Sequence, residues 1–313
     1  MEFFLTFAAE KFNHQTKLSM KRFFLMSTLL LAALLVGAQT KIAPKMKKGM
    51  KKVYVTENTI KSEFAQPITI TQETVYEVID ATNDGYVLDV YVTDVKTDAN
   101  NDESRIYSLA AEALKGVHTK YATDKDGKVT KVLEAEEIAN KIEGMFDKLL
   151  SGLSLPSGMS TSKMKSQLKE QMNEESLTQS VQASTSPLAL NGKTISTGTE
   201  EEFFNQNNLK GLKMKRIYTV NDNGSISSSA NLNMSSKDMQ KLISGVLDSV
   251  APEAIDDDAL SGLNELFDKA NMQCSEQNNY TFGKDGWVKS ITADMTTSAM
   301  GMSFSFKHKV TQK

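Results

Sequence analysis

The chain has 313 residues, with 36 Lys or Arg and 39 Asp or Glu, so its formal net charge is −3. Hydrophobic residues make up 40% and charged residues 24%, values that are typical of a globular chain and exclude a disordered one. The near-neutral charge argues against nucleic acid as a partner, because nucleic acid favours a concentrated basic face. One Trp and three His leave little material for an aromatic cage or a His-based metal site.

Residues 20–38 have the layout of a secretory signal peptide. Two basic residues follow its first Met, an apolar stretch covers 23–36, and small residues precede a predicted cleavage between Ala38 and Gln39. The stretch is shorter than the roughly 20 residues that cross a bilayer, so a membrane anchor is the less favoured alternative. We therefore expect an exported, soluble protein, periplasmic or secreted, with no transmembrane segment in the mature chain.

The residues before and after the predicted signal peptide indicate where translation starts and whether the protein is a lipoprotein. Met20 is the predicted start, and residues 1–19 are interpreted as a mis-assigned upstream extension, with a real cytosolic extension as the alternative. The single cysteine, Cys274, lies far from the cleavage site, so a lipoprotein is not expected. A lone cysteine also cannot form a disulfide within the chain.

The mature chain divides into segments of different composition. A loose, basic lead-in at 39–49 precedes a first half at 50–150. A Ser-rich connector at 151–199, predicted to hold one helix, separates it from a second half at 200–313. Both halves combine strand and helix patterns, and we expect them to share one sheet.

Period-two alternation predicts several long strands. The first three cover 52–62, 67–79 and 86–95, and the Asn-Asp-Gly turn at 83–85 makes the last two a hairpin. The sharpest alternation is at 300–310, where apolar residues and His308 alternate with Gly, Ser and Lys. This pattern predicts a half-buried last strand.

Three copies of one turn pattern occur along the chain, at Gly127, Gly224 and Gly286. Each glycine follows an Asp or Asn and lies six residues after a Tyr, with an apolar residue two positions later. Such turns favour positive φ, so the pattern predicts three similar hairpins. Convergent turn chemistry and internal duplication both remain open as explanations.

Apolar stripes at helical spacing predict helices over 138–150, 239–250 and 260–267. Together with the hairpins, they predict an α+β fold: an antiparallel, curved sheet built from hairpins, with helices packed on one face. Envelope lipid carriers have such an arrangement, and the comparison is a fold-level analogy only.

No motif in the chain predicts catalysis, a cofactor or a metal. The two mature histidines, His118 and His308, are interpreted as surface or packing residues. The acidic run at 98–104 has Glu and Leu where a calcium loop needs Gly and Glu, so an ordinary polar loop is favoured. The Met and His residues near the C-terminus suit a strand face better than a copper site.

Methionine and phenylalanine supply the candidate ligand surface, since Met makes adaptable apolar walls. A lineage preference for Met in ordinary cores is the simpler alternative. The residues predicted to line an apolar site are Met239, Leu242, Met300, Met302, Phe304 and Phe306.

From Gly49 to Tyr54 the chain leads into long Thr-rich strands, and residues 286–291 read Gly-Trp-Val-Lys-Ser-Ile. With the signal peptide, these features resemble a group of exported Gram-negative envelope proteins, classed as domains of unknown function. The resemblance covers most of the mature chain, and it implies no catalytic or binding residue.

Three hypotheses of function follow. The leading one is an exported, non-enzymatic binding protein for an apolar or lipid-like ligand, which requires an apolar cavity. The alternative is a structural or protein-interaction module of the envelope, which predicts a dense core and an exposed apolar patch. An enzyme that uses carboxylates alone would need two acidic groups converging in a cleft.

Overall fold

The computed structural model describes residues 39–63, 66–98, 109, 111–151, 162, 166, 173–204, 213–234, 272–299 and 302–313. Lys41–Lys313 forms one compact unit, and only the last two residues of the other unit, Met1–Thr40, are described. The predicted signal peptide and upstream extension therefore lie outside the described residues.

Strands dominate the described residues, and they are joined by few helices. The strands are β1 Thr40–Lys41, β2 Lys51–Ser62, β3 Ile68–Ala81, β4 Gly85–Thr97, β5 His118–Asp124, β6 Val129–Leu133, β7 Thr194–Ile195, β8 Glu200–Phe204, β9 Lys213–Val220, β10 Ile226–Met234, β11 Met272–Phe282, β12 Val288–Ala299 and β13 Met302–Gln312. The helices with defined bounds are α1 Ala135–Ser151 and α2 Glu174–Ala183.

Eleven strands form one sheet in the order β6-β5-β4-β3-β2-β13-β12-β11-β10-β9-β8. All neighbours in this order are antiparallel. The last strand, β13, lies beside the first long strand, β2, with Val310 opposite Thr56. This pairing joins the N-terminal and C-terminal strands into a continuous sheet.

The predicted α+β class is wrong, although the antiparallel sheet is confirmed. Strands hold 57% of the described residues and helices 15%, so the fold is mostly antiparallel β. The strands are long, reaching 14 residues in β3, and the sheet rather than a helical layer organises the chain. Helix α1 covers the stripe predicted at 138–150, whereas the helices predicted over 239–250 and 260–267 lie outside the described residues.

The three patterned glycines lie in the turns of the β5–β6, β9–β10 and β11–β12 hairpins. Their φ angles are +81° at Gly127, +77° at Gly224 and +78° at Gly286. In each turn the glycine N–H donates to the carbonyl three residues earlier, over 2.9–3.0 Å. A side chain is strained at such φ values, which explains the common frame.

One apolar core contains residues from strands near both edges of the sheet. Val129 on β6 and Tyr218 on β9 belong to the same buried cluster, together with Tyr54, Leu88 and Tyr280. A flat sheet of this many strands would be roughly 50 Å wide, because neighbouring strands lie about 4.8 Å apart. The sheet therefore curves around the core, and we call the face toward it the interior face.

The predicted lead-in is packed rather than loose. Ile42, Pro44 and Met46 are buried while the residues between them are exposed. Trp287 Nε1 donates to the Lys45 carbonyl over 3.0 Å, which fixes this segment against the β11–β12 turn. Apolar residues alternate with lysines here, and that alternation lets a basic segment bury one face.

Helix α2 covers the edge strand β6. The Val132 N–H donates to Thr178 Oγ1 over 3.1 Å, and Gln182 Nε2 donates to the Val129 carbonyl over 2.7 Å. These bonds satisfy backbone groups that an uncovered edge would offer to another chain.

Candidate functional site

The residues 186–195, which we call the inner segment, turn back from α2 into the core. Leu188, Leu190 and Ile195 are at most 4% exposed. Gly192 N–H donates to the Ile42 carbonyl over 2.7 Å and has φ +74°. A Cβ at Gly192 would lie 2.5 Å from Lys128 Cβ, so only glycine fits there.

A cavity of about 360 Å³ lies between the inner segment and the two edge strands of the sheet. We call it the edge cavity, because β6 contributes Val129 to it and β8 contributes Glu200 and Glu201. Its lining residues are Lys128, Val129, Gln182, Leu188, Ala189, Asn191, Gly192, Lys193, Thr194, Ile195, Thr199, Glu200, Glu201 and Tyr218.

Asn191 is the polar side chain of this cavity with unused bonding capacity. The residue is 2% exposed, and neither Nδ2 nor Oδ1 has a hydrogen-bond partner within the described part of the chain. A buried amide without partners costs about 1–3 kcal/mol per group, so such a group in a cavity wall points to a ligand or to water. Its Nδ2 offers two N–H donors, and its Oδ1 offers two acceptor lone pairs.

The charged groups of the edge cavity are already paired. Lys193 Nζ lies 2.6 Å from Glu201 Oε1, and the Tyr218 hydroxyl donates to Glu201 Oε2 over 2.5 Å. Burial lowers the pKa of Lys193. Burial pushes the pKa of Glu201 upward, but the Lys193 charge outweighs that effect and leaves it below its usual range. The Glu201 carboxylate is therefore ionised at neutral pH.

A second buried network continues across β9, β10 and β11. Arg216 and Glu276 lie opposite Ala230 on its two neighbouring strands, and Arg216 Nη2 lies 2.6 Å from Glu276 Oε1. Asn278 Nδ2 also donates to Glu276 Oε1, and to Ser228 Oγ over 3.2 Å. Burial alone would lower the pKa of Arg216, but the Glu276 charge raises it, so the guanidinium stays charged.

A smaller cavity of about 280 Å³ lies between α2 and the interior face. We call it the α2 cavity. It is lined by Tyr76, Val90, Tyr121, Ser180, Val181, Ser184, Ser186 and Leu188. Three strands contribute aromatic and branched side chains, and burial raises the pKa of Tyr121 to about 12. Neutral rings and aliphatic groups therefore form its walls, with serines on the α2 side.

The two cavities adjoin at the start of the inner segment. Leu188 borders both of them, and it is 4% exposed. The Asn191 N–H donates to the Leu188 carbonyl over 3.2 Å, so one turn separates Leu188 from the unpaired amide. An apolar site and a polar site thus share a wall.

Phe304 and Phe306, the predicted lining residues whose side chains the structure describes, do not line these cavities. Phe304 on β13 is 47% exposed, and Phe306 is partly buried beside Met295 of β12. Met302 lies at the start of β13. The remaining predicted lining residues, Met239, Leu242 and Met300, lie outside the described residues.

The other predicted positions have ordinary structural surroundings. Gln39 is exposed, and Ala38 lies outside the described residues. His118 is exposed, lies 2.8 Å from an Asp89 oxygen and stacks on Tyr91 at 4.3 Å between ring centroids. Among the described residues, no cluster of His, Cys, Asp and Glu side chains could hold a metal ion.

The sequence interpretation missed Asn191, Lys193 and Glu201. Two signals could have found the inner segment: the apolar run at 188–190 inside a Ser-rich connector, and the Asn-Gly pair that follows it. Neither signal shows where the segment packs. Its place between β6 and β8 depends on the curvature of the whole sheet.

Comparison with family models and with curated proteins found no match for this chain. Among solved structures, one match is described as lipid–protein interactions in lipovitellin, at 8% sequence identity and a TM-score of 0.35. It covers 86% of this chain and 25% of the other, so this chain spans about a quarter of that structure's length. A likeness this low carries no argument about function.

In the part of the chain that the structure describes, no helix has the length and apolar character needed to cross a bilayer.

Proposed function

We propose that this protein is an exported, non-enzymatic binding protein that holds an apolar chain in the α2 cavity. The observation that carries the proposal is the cavity itself: Tyr76, Val90, Tyr121, Val181 and Leu188 surround about 280 Å³ next to a closely packed core. Pockets lined mainly by aromatic and aliphatic side chains, with a few polar groups, are the usual sites for apolar small molecules. The signal-peptide pattern at 20–38 supports export.

The size and chemistry of the α2 cavity suit a short hydrocarbon chain. Its volume is just below the range of about 300–1,000 Å³ for small-molecule sites. Each buried methylene contributes about 0.8 kcal/mol, so a medium-length chain offsets the cost of association. The serines at 180, 184 and 186 provide a polar rim near the helix.

Filling the cavity tests the proposal. In the variant Val181→Phe, the larger ring on α2 should occupy the volume that the chain would take. We expect its affinity for methyl decanoate, measured by displacement of a solvatochromic fatty probe, to fall about tenfold or more. Val181→Ala, which enlarges the cavity, should keep or increase the affinity.

A matched control separates cavity filling from a general effect of an added aromatic ring. Ile217 on β9 is 44% exposed and does not line the α2 cavity, so Ile217→Phe should leave affinity unchanged. Equal affinity in Val181→Phe and the unmodified chain would contradict the proposal, as would the absence of any methyl decanoate binding.

Exposed apolar side chains favour a second candidate function, a protein-interaction module of the envelope. Phe304 is 47% and Met295 36% exposed, although both lie on the interior face. A photo-crosslinking amino acid at position 304 should then capture one envelope protein in cells, while the same group at exposed Lys309, on the opposite face, should not. Equal or absent crosslinking at both positions would contradict this alternative.

A further inference from the structure

We propose that the ligand has a neutral, hydroxyl-bearing head that binds Asn191 in the edge cavity, as in a monoacylglycerol. This inference rests on the proposed function, because the hydrocarbon tail of the same ligand occupies the α2 cavity. It adds a second binding site, the edge cavity, with Asn191 as the residue that binds a hydroxyl-bearing head group.

The hydrogen-bonding capacity of the Asn191 amide determines which head group fits. Within the described part of the chain, its buried Nδ2 and Oδ1 are both unpaired, so a fitting group must both accept and donate hydrogen bonds. A hydroxyl does both, and two adjacent hydroxyls do so at separate atoms. An ionised carboxylate only accepts, and it would leave Asn191 Oδ1 buried without a donor.

The charges of the edge cavity favour a neutral head as well. Lys193 is paired with Glu201, and Glu200 forms an ion pair with Lys215. Lys128 is a further cation in the lining, but it is exposed, and water screens its charge. Among the described lining residues, the buried charges are therefore already paired, and a charged head would have no free buried counter-charge.

Leu188 lies between the proposed site of the head group and the proposed site of the hydrocarbon tail. This side chain borders both cavities, and its carbonyl accepts the Asn191 N–H over 3.2 Å. A head at Asn191 therefore lies one turn of backbone from the apolar walls. The two cavities, of about 360 and 280 Å³, share the Leu188 side chain and suit the head and the hydrocarbon tail of one medium-chain lipid.

Three lipid probes with the same ten-carbon hydrocarbon tail and different head groups test the inference. Monodecanoylglycerol has two hydroxyls, methyl decanoate has none, and decanoate is anionic. We expect the full chain to bind monodecanoylglycerol about tenfold or more tightly than either of the others. In Asn191→Leu this preference should disappear while methyl decanoate still binds.

The stability of the unliganded variant provides a second measurement. Since the amide of Asn191 has no hydrogen-bond partner among the described residues, Asn191→Leu should be as stable as the unmodified chain or more stable. Asn231→Leu, at an exposed position of β10, is the matched control and should keep the head preference.

The outcomes separate the two proposals. Equal binding of the three probes, or a head preference that survives in Asn191→Leu, would overturn the inference and leave the proposed function standing. No binding of any probe would overturn the proposed function as well. Should Asn191→Leu fail to fold, the ranking of the three heads by the unmodified chain still decides the inference.

Discussion

At the scale of single residues, the Arg216–Glu276 ion pair is the most deeply buried charge pair described. The Arg216 side chain is 2% exposed and the Glu276 side chain 12%. Removing one partner of a buried pair strands the other charge away from water, which costs about 3–5 kcal/mol. We therefore expect Glu276→Gln to lower the free energy of unfolding, measured by urea denaturation, by about 3 kcal/mol.

An exposed carboxylate provides the control for that change. Asp294 lies 3.6 Å from Lys307, and both side chains are more than 60% exposed. Asp294→Asn should change the free energy of unfolding by no more than about 0.5 kcal/mol. Equal effects of Glu276→Gln and Asp294→Asn would show that the buried network does not stabilise the fold.

His308 makes the fold sensitive to pH. Its Nε2 lies 2.9 Å from the Thr185 carbonyl oxygen, and its Nδ1 lies 2.7 Å from Asn58 Oδ1. Both oxygens accept, so the neutral ring donates through one of its two nitrogens at a time. Burial lowers the pKa of His308 from 6.5, so the unfolded chain takes up a proton at a higher pH than the folded chain.

The resulting stability is complete above pH 6.5 and decreases as the pH falls below it toward the folded-state pKa. His308→Gln, whose amide can still donate to Thr185, should lose less stability than the unmodified chain between neutral pH and about pH 5. Thermal melting over this range measures the difference. Parallel pH profiles for both chains would contradict the role of His308.

Some individual residues could be predicted from the local sequence, and others could not. Gly127, Gly224 and Gly286 follow from turn chemistry alone, because an Asp/Asn-Gly pair needs only its own backbone to form a turn. Asn191 and Glu276 could not be found in this way. Their partners, or the lack of them, depend on strands far apart in sequence.

At the scale of elements, the hairpin turns differ in what surrounds them. A Cβ at Gly286 would lie 2.9 Å from the Ala43 carbonyl oxygen, while at Gly224 no atom lies within 4 Å. Both glycines have positive φ, near +78° and +77°. The packed lead-in thus makes one turn more restrictive than the other.

Gly224→Ala should therefore cost about 1–2 kcal/mol from φ strain alone. Gly286→Ala should cost measurably more, because the lead-in must also move. Urea denaturation of both variants gives the comparison. If Gly286→Ala were no more destabilising than Gly224→Ala, the contact between the lead-in and this turn would contribute nothing.

The strands were the part of the fold that the sequence predicted best. Alternation along β2, β3, β4 and β13 is a local property, and it places those strands to within a few residues. The buried inner segment was not predicted, because it has no periodicity that distinguishes a buried insertion from a surface loop. The order of strands also depends on long-range pairing, above all that of β13 with β2.

At the scale of the whole molecule, the sheet joins the two predicted halves through β2 and β13. The core combines residues from both sides of that pairing, such as Leu88 and Tyr280. An α+β arrangement of two halves would allow each half to have its own hydrophobic core. In the observed sheet the two halves share a core, because one buried cluster contains residues from β6 to β9.

This architecture predicts cooperative unfolding of the sheet. Trp287 is the single tryptophan and is 1% exposed in the shared core, so its fluorescence reports the loss of that core. Its urea transition should coincide with the loss of strand signal in circular dichroism. Two separated transitions would show that the halves unfold independently, against a shared core.

Native mass spectrometry of the full chain and of Val181→Phe, each after mixing with monodecanoylglycerol, would show whether the α2 cavity holds the apolar part of a ligand. We expect a one-to-one adduct on the unmodified chain and little or none on Val181→Phe, because the added ring occupies the α2 cavity. An unliganded mass for both chains, or equal adducts on both, would contradict the claim that this cavity holds the apolar chain of a ligand.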